Sequence, residues 1–238
     1  ILPIYASLWN FLPFLGTHTN AMQTLTEKLI ELGLANRVLS DKQLARVVGG
    51  GPQRRYGLVN RALKTGELLR LSRGSYLLAD RFRDYPSHPF ALAQAFVPGS
   101  YVSFETALAH HGWIPEAVYT TASVTPGRKS LAYEHPLFGS FSFRPLAIQT
   151  GYFLELVERV QVTGQTLLVA EPFRALMDLV CLRKVEWQGL GWLTEGLRID
   201  DEALRNIART DFRTLALVYK QKRVKAFLTS LARELGHD

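Results

Sequence analysis

The chain has 238 residues, and its 28 basic and 21 acidic side chains give a formal net charge of +7. A hydrophobic fraction of 47% is ordinary for a globular protein and is enough for one or two packed cores. The positive balance favours an acidic partner such as nucleic acid. The single cysteine, Cys181, excludes an internal disulfide and a four-cysteine zinc site, and it fits a reducing cytoplasm.

Residues 1–19 are mostly apolar and carry no charge. The run lacks the basic start of a signal peptide. It is also shorter than the ~20 apolar residues of a membrane-spanning helix, and Pro3 and Pro13 interrupt it. We therefore expect an apolar N-terminal extension that is loosely packed, without a membrane role.

Residues 20–84 have the element order of a winged helix-turn-helix. Met22, Leu25, Leu29 and Leu32 recur at helical spacing. Ser40 is a suitable N-cap for a second helix, and three glycines at 49–51 predict a turn. The third helix is expected to begin at Pro52, end at Gly66 and lead into two strands joined by a tight turn at Ser72–Gly74.

Most of the positive charge lies in this module, with ten basic and four acidic residues between positions 40 and 84. On the third helix, a helical projection places Tyr56, Val59, Ala62 and Leu63 on one side, which we expect to pack on the first two helices. The opposite side is polar, and Arg, Asn and Gln are the side chains that read base edges in the major groove. The predicted DNA contacts are Gln53, Arg54, Arg55, Asn60, Arg61, Lys64, Arg70 and Arg73.

A second domain is expected at residues 85–238, after a break marked by Pro86 and Pro89. Its first part alternates strands with a helix near Glu105, and a further helix begins at Pro172. Helices predominate from there to the C-terminus. The predicted fold class is therefore α+β, with a winged helix-turn-helix followed by a mixed α/β domain that has a helical C-terminal end.

A catalytic or metal centre is not indicated. His110 and His111 are neighbours on a helix and point about 100° apart, so they are poorly placed to share an ion. Asp178 and Glu171 lie seven residues apart on one helix, but Glu171 is better explained as the helix start. Cys181 lies among apolar residues and is expected to be a buried thiol. No glycine-rich phosphate loop is present.

The C-terminal 34 residues hold eight basic and three acidic side chains on helical apolar stripes. A solvated helix face, a second surface for an acidic RNA or protein, and a membrane-surface helix are the open interpretations. The third is the weakest, because the basic residues are not cleanly segregated. The residues of this possible second basic surface are Arg209, Arg213, Lys220, Lys222, Arg223 and Lys225.

Two segments of the second domain, YVSFETALAHHGWIPE and VAEPFRALMDLV, resemble the AbiEi family in their order and spacing. The sequence PQRRYGLVNRALKTGELLRLSRGSYLL before them is similar to that family's winged helix. The resemblance covers about residues 22–184. The AbiEi proteins are antitoxins and transcriptional regulators of type IV toxin–antitoxin systems, which are associated with phage resistance.

The resemblance implies that the winged helix represses the protein's own operon. It also implies that the C-terminal antitoxin domain counteracts a nucleotidyltransferase-like toxin, without requiring a stable complex between them. Double-stranded promoter DNA is thus the expected partner, with no cofactor, no metal and no membrane. The alternatives are a winged-helix regulator of unrelated genes without a toxin partner, and an enzyme acting on nucleic acid through the acidic middle of the chain.

Overall fold

The computed structural model of the chain describes residues 24–162 and 165–237. The protein is a mixed α and β structure with two sheets, which confirms the predicted α+β class. The expected apolar extension at 1–19 lies outside the described residues, as do Met22 and the turn residue Gly164. No helix in the described ranges is long and apolar enough to cross a bilayer.

The N-terminal part contains three helices and a small antiparallel sheet with strand order β1-β3-β2. Thr24 and Ser40 cap the first two helices through reciprocal capping boxes with Glu27 and Gln43. Pro52 opens the third helix as expected. The elements are α1 Leu25–Glu31, β1 Leu39–Ser40, α2 Asp41–Val48, α3 Pro52–Lys64, β2 Leu68–Ser72, β3 Ser75–Leu78 and a 3-10 turn at Asp80–Phe82.

The remaining chain forms a six-stranded mixed sheet with strand order β6-β7-β5-β4-β9-β8. Two strand pairs, β5 with β7 and β4 with β9, are parallel. The strands are β4 Tyr101–Val102, β5 Thr120–Val124, β6 Leu131–His135, β7 Gly139–Arg144, β8 Val157–Val162 and β9 Gln165–Ala170. The helices are α4 Pro89–Phe96, α5 Phe104–His110, α6 Pro172–Arg183, α7 Asp201–Arg205, α8 Arg209–Val218 and α9 Lys222–Glu234, with a π turn at Trp192–Gly196.

Two apolar clusters form the separate cores of these parts. Leu29, Leu44 and Val59 lie in the first, between the N-terminal helices and their sheet. The second is larger and surrounds α6, whose Leu176 and Val180 are fully buried.

A third apolar cluster crosses the expected domain boundary at residue 84. It joins Leu71 and Leu77 of the β2–β3 hairpin to Leu92 of α4 and to Phe141 and Phe143 of β7. All five side chains are buried. The β2–β3 hairpin is therefore packed on both cores, and it does not project freely from the N-terminal part.

The centre of the larger core holds a buried ion pair. Arg174 and Asp178 are four residues apart on α6, both are fully buried, and Arg174 Nε lies 3.0 Å from Asp178 Oδ1. The carboxylate also accepts hydrogen bonds from the hydroxyls of Tyr101 (3.0 Å), Ser103 (2.7 Å) and Tyr219 (2.8 Å).

The charged state of this pair is strongly favoured. Burial alone would lower the pKa of Arg174, but Asp178 and the two tyrosines outweigh burial and raise it. Burial and the nearby Asp178 raise the pKa values of Tyr101 and Tyr219, so both phenols stay protonated as donors. Ser103 spends its hydroxyl on Asp178 and makes no side-chain cap to α5, although it occupies the expected N-cap position.

Removing this carboxylate is expected to be costly. Asp178→Ala should lower the free energy of unfolding by about 3–5 kcal/mol, because Arg174 is left buried without its counter-charge. Urea denaturation followed by circular dichroism measures the change. Glu105→Gln, which breaks the more exposed ion pair with Arg183, is the control and should cost less than about 1 kcal/mol. Equal losses in both variants would contradict the importance of the buried pair.

Candidate nucleic-acid interface

Helix α3 presents a polar face to solvent. Gly49 and Gly50 adopt positive φ angles of 64° and 70°, which let the chain reverse after α2 and place Pro52 at the start of α3. Val59 and Ala62 are buried and hold the helix on the core of the N-terminal part. The predicted contact residues that are exposed on this helix are Gln53, Arg54, Arg61 and Lys64.

The centre of this exposed face is open. Gly57 lies between these polar side chains, and no atom lies within 4 Å of the position that a Cβ would take there. A backbone without a side chain at that point allows close approach of a partner molecule.

Tyr56 is not on the apolar side, and that expectation was wrong. Its side chain is 68% exposed. Tyr56 is rotated about 60° from Val59 and about 120° from Ala62 around the helix, so it stands at the edge of the buried stripe. It also lies in the first turn, between the side chains of Gln53 and Asn60 along the same edge. An aromatic side chain therefore belongs to the exposed polar face.

A groove runs between this edge of α3 and the β2–β3 hairpin. Four of the predicted contact residues meet in it, and Asp41, Tyr56 and Tyr76 also line it. The guanidinium of Arg70 lies over the Tyr76 ring, 5.9 Å from its centroid. Burial, then the charge of Asp41, raises the pKa of Tyr76, so its phenol remains a donor. The four predicted residues in the groove are Gln53, Arg55, Asn60 and Arg70.

The turn between β2 and β3 is fixed against the start of α2. Gly74 has φ 77°, and its carbonyl accepts a hydrogen bond of 3.0 Å from the backbone N–H of Asp41. A Cβ on Gly74 would approach the Asp41 carboxylate to 2.9 Å, so this close contact requires glycine. Arg73, beside it, is exposed. The turn thus holds an arginine in a defined position at the end of the hairpin.

The eight predicted contact residues therefore fall into two neighbouring groups. Gln53, Arg55, Asn60 and Arg70 line the groove. The other four are exposed, with Arg54, Arg61 and Lys64 on the outer side of α3 and Arg73 at the hairpin turn. Sequence reasoning missed Tyr56, Tyr76 and Asp41, because periodicity does not show which loops and strands approach a helix edge.

The possible second basic surface is spread along α8 and α9. Arg209, at the start of α8, donates a hydrogen bond of 3.4 Å to the carbonyl of Gly236, just beyond the end of α9. Lys222 begins α9, which at 13 residues is about 20 Å long. These two positions are therefore at opposite ends of the helix pair. Arg223 is half-buried and donates to Gln221 Oε1.

The histidines and the cysteine have structural surroundings. His111 Nε2 lies 3.0 Å from the Ala170 carbonyl oxygen, and the His110 ring packs edge-on against Phe90. Burial, then the charge of His111, lowers the pKa of His110. Cys181 is buried, and burial followed by the charge of Asp178 raises the pKa of its thiol to about 11.

The two carboxylates of α6 do not form a site together. Asp178 is enclosed by the hydrogen bonds of the larger core, whereas Glu171 is the N-cap residue of α6. Burial, then the charges of Asp211 and Glu158, raises the pKa of Glu171. Within residues 24–162 and 165–237, no group of three or more His, Cys, Asp or Glu side chains is arranged to hold a metal ion.

No protein-family model matches this chain, and no curated protein is significantly similar to it. The site is therefore assigned from its own geometry and chemistry.

The exposure of Tyr56 gives a test of this geometry. Tyr56→Ala should change the free energy of unfolding by no more than about 0.5 kcal/mol, as for other surface positions. Leu44→Ala, which removes a fully buried side chain of α2 from the same part of the protein, should cost about 2–5 kcal/mol. Urea denaturation of both variants decides between the two placements. A large loss in the Tyr56 variant would place that ring in the core.

Proposed function

We propose that the N-terminal part is a winged helix-turn-helix that binds double-stranded DNA, with α3 as the recognition helix and the β2–β3 hairpin as the wing. One observation carries the proposal: the exposed polar face of α3 and the arginines of the hairpin border one groove. Helix side chains of this kind pair with base edges in the major groove, whereas arginines at a wing reach phosphate or the minor groove.

The distribution of roles follows from the positions of the side chains. Arg54 and Arg61 are seven residues apart and lie on the same side of α3, where guanidinium groups pair bidentately with guanine. Gln53 and Asn60 lie nearer the wing and suit adenine. Arg70 and Arg73 supply positive charge at the wing. The protein thus combines base-reading amides and guanidiniums with phosphate-binding charge on one side.

We further propose that the protein is an antitoxin of a type IV system that represses its own operon and counteracts a nucleotidyltransferase-like toxin. The support is the resemblance of residues 101–116 and 169–180 to the AbiEi family. These two segments pack together in the larger core, where Tyr101 and Ser103 from one bind Asp178 from the other. The protein acts by binding and not by catalysis in this proposal, and promoter binding places it in the cytoplasm.

The DNA-binding proposal is tested with Arg54→Ala combined with Arg61→Ala. Loss of two base-reading arginines should cost about 2–6 kcal/mol of binding free energy, which is at least about 30-fold in Kd. Mobility-shift or anisotropy titration on the DNA upstream of the protein's own gene measures the affinity. The slope of log K against log salt should also fall by about 0.9 for each phosphate contact that is lost.

Arg205→Ala is the matched control, because Arg205 is an exposed arginine at the end of α7 and is not part of the groove. Its affinity and salt slope should equal those of the wild type. Circular dichroism should show that all variants are folded. Unchanged affinity in the double variant would refute α3 as the recognition helix.

The antitoxin role is tested with the full-length chain, because the cluster that includes Leu71 and Phe141 joins its two parts. The protein and a nucleotidyltransferase-like protein encoded beside it are expressed from unrelated promoters. The wild type should restore growth, and the Arg54→Ala, Arg61→Ala variant should restore it equally, because repression is bypassed. If neither restores growth while the wild type still binds its promoter, the protein is a regulator without a toxin partner.

A further inference from the structure

The tip of the β6–β7 hairpin carries an apolar side chain that is open to solvent. Leu137 lies in the turn after Pro136, and it is 67% exposed. Turns of this kind usually carry Gly, Asn, Asp or Ser, so a leucine here gains nothing from local turn chemistry. Its exposure calls for a contact with another molecule.

Several contacts hold this tip in place. His135 accepts a hydrogen bond at Nδ1 from the backbone N–H of Leu137 (3.2 Å). Its Nε2 lies 3.2 Å from the carbonyl oxygen of Arg70, and since a carbonyl only accepts, this nitrogen carries the proton. The ring of Phe138 packs on the His135 ring with a centroid distance of 4.8 Å. One histidine therefore fixes the turn and ties it to the wing.

The tip lies beside the wing at the end of the proposed DNA groove. Pro136 and Leu137 line a depression together with Arg70 and Arg73. Arg70, Asp41 and Tyr76 border both this depression and the groove next to α3. The concave surface is thus continuous from α3, across Arg70, to Leu137.

The chemistry of this end of the surface is that of a minor-groove wedge. Arginine is attracted to the negative potential of a narrow minor groove. Architectural proteins place leucine or proline between base steps there and kink the duplex by about 20–90°. Arg73 and Leu137 supply these two components on adjacent turns.

We propose that the β6–β7 hairpin is a second wing, which inserts Leu137 into the minor groove next to Arg73 and kinks the promoter DNA. This inference rests on the proposed function, since it needs duplex DNA on α3. It assigns to the second part of the chain a direct role in shaping DNA. The kink would favour flexible steps such as TA and CA at the position that Leu137 reaches.

The experiment compares the wild type with Leu137→Ala, Leu137→Phe and Leu217→Ala on a promoter duplex labelled at both ends. Energy transfer between the labels measures the bend, and 2-aminopurine placed at successive steps reports unstacking. Wild type and Leu137→Phe should bend the duplex and raise 2-aminopurine fluorescence at one step. Leu137→Ala should reduce the bend by about 20° or more and abolish the fluorescence rise.

Leu217, which is 55% exposed on α8, is the matched control, and its alanine variant should bend DNA as the wild type does. Equal bending by Leu137→Ala and the wild type would overturn the wedge and leave the proposed function intact. A change in oligomeric state for Leu137→Ala, with unchanged bending, would overturn it in favour of a protein contact. If the wild type binds no duplex, both the wedge and the proposed DNA-binding function are wrong.

Discussion

The second part of the structure is organised around one buried charge pair. Arg174 and Asp178 lie in an apolar core, where unpaired charge costs several kcal/mol for each ion. Arg174 also donates to the carbonyls of Glu155 (2.5 Å) and Phe153 (3.4 Å), and Asp178 accepts from three hydroxyls. Helix α6 thereby fixes the loop before β8, the strand β4 and the residue that follows α8. Few other arrangements of these elements would satisfy all of the buried polar groups.

This requirement also explains an unusual backbone conformation. Phe104 follows Ser103 and is fully buried at φ 57°, a region that costs an ordinary residue about 1–3 kcal/mol. The hydroxyl of Ser103 is held by Asp178, and the Phe104 side chain is fixed in the larger core. The strain is offset by packing and hydrogen bonding that depend on α6, a long way along the sequence.

Much of the N-terminal part could be predicted, because its elements depend on local rules. Ser40 caps α2 through its own hydroxyl, and Pro52 and the glycines before it set the start of α3. The exposure of Tyr56 and the approach of Arg70 to α3 depend on contacts between distant elements, which periodicity does not encode. The partners of Asp178 could not be predicted for the same reason, since they come from residues up to 77 positions away.

The cluster around Leu71 and Phe141 makes the two parts of the chain thermodynamically dependent on each other. A ligand that binds only the folded N-terminal part stabilises it by an amount that grows with ligand concentration. Because Leu71 and Leu77 complete a core that belongs equally to α4 and β7, unfolding of the second part must first break that core. Occupancy at α3 therefore protects residues as distant as Phe143 from proteolysis, and turnover of the whole chain would depend on how much of it is bound.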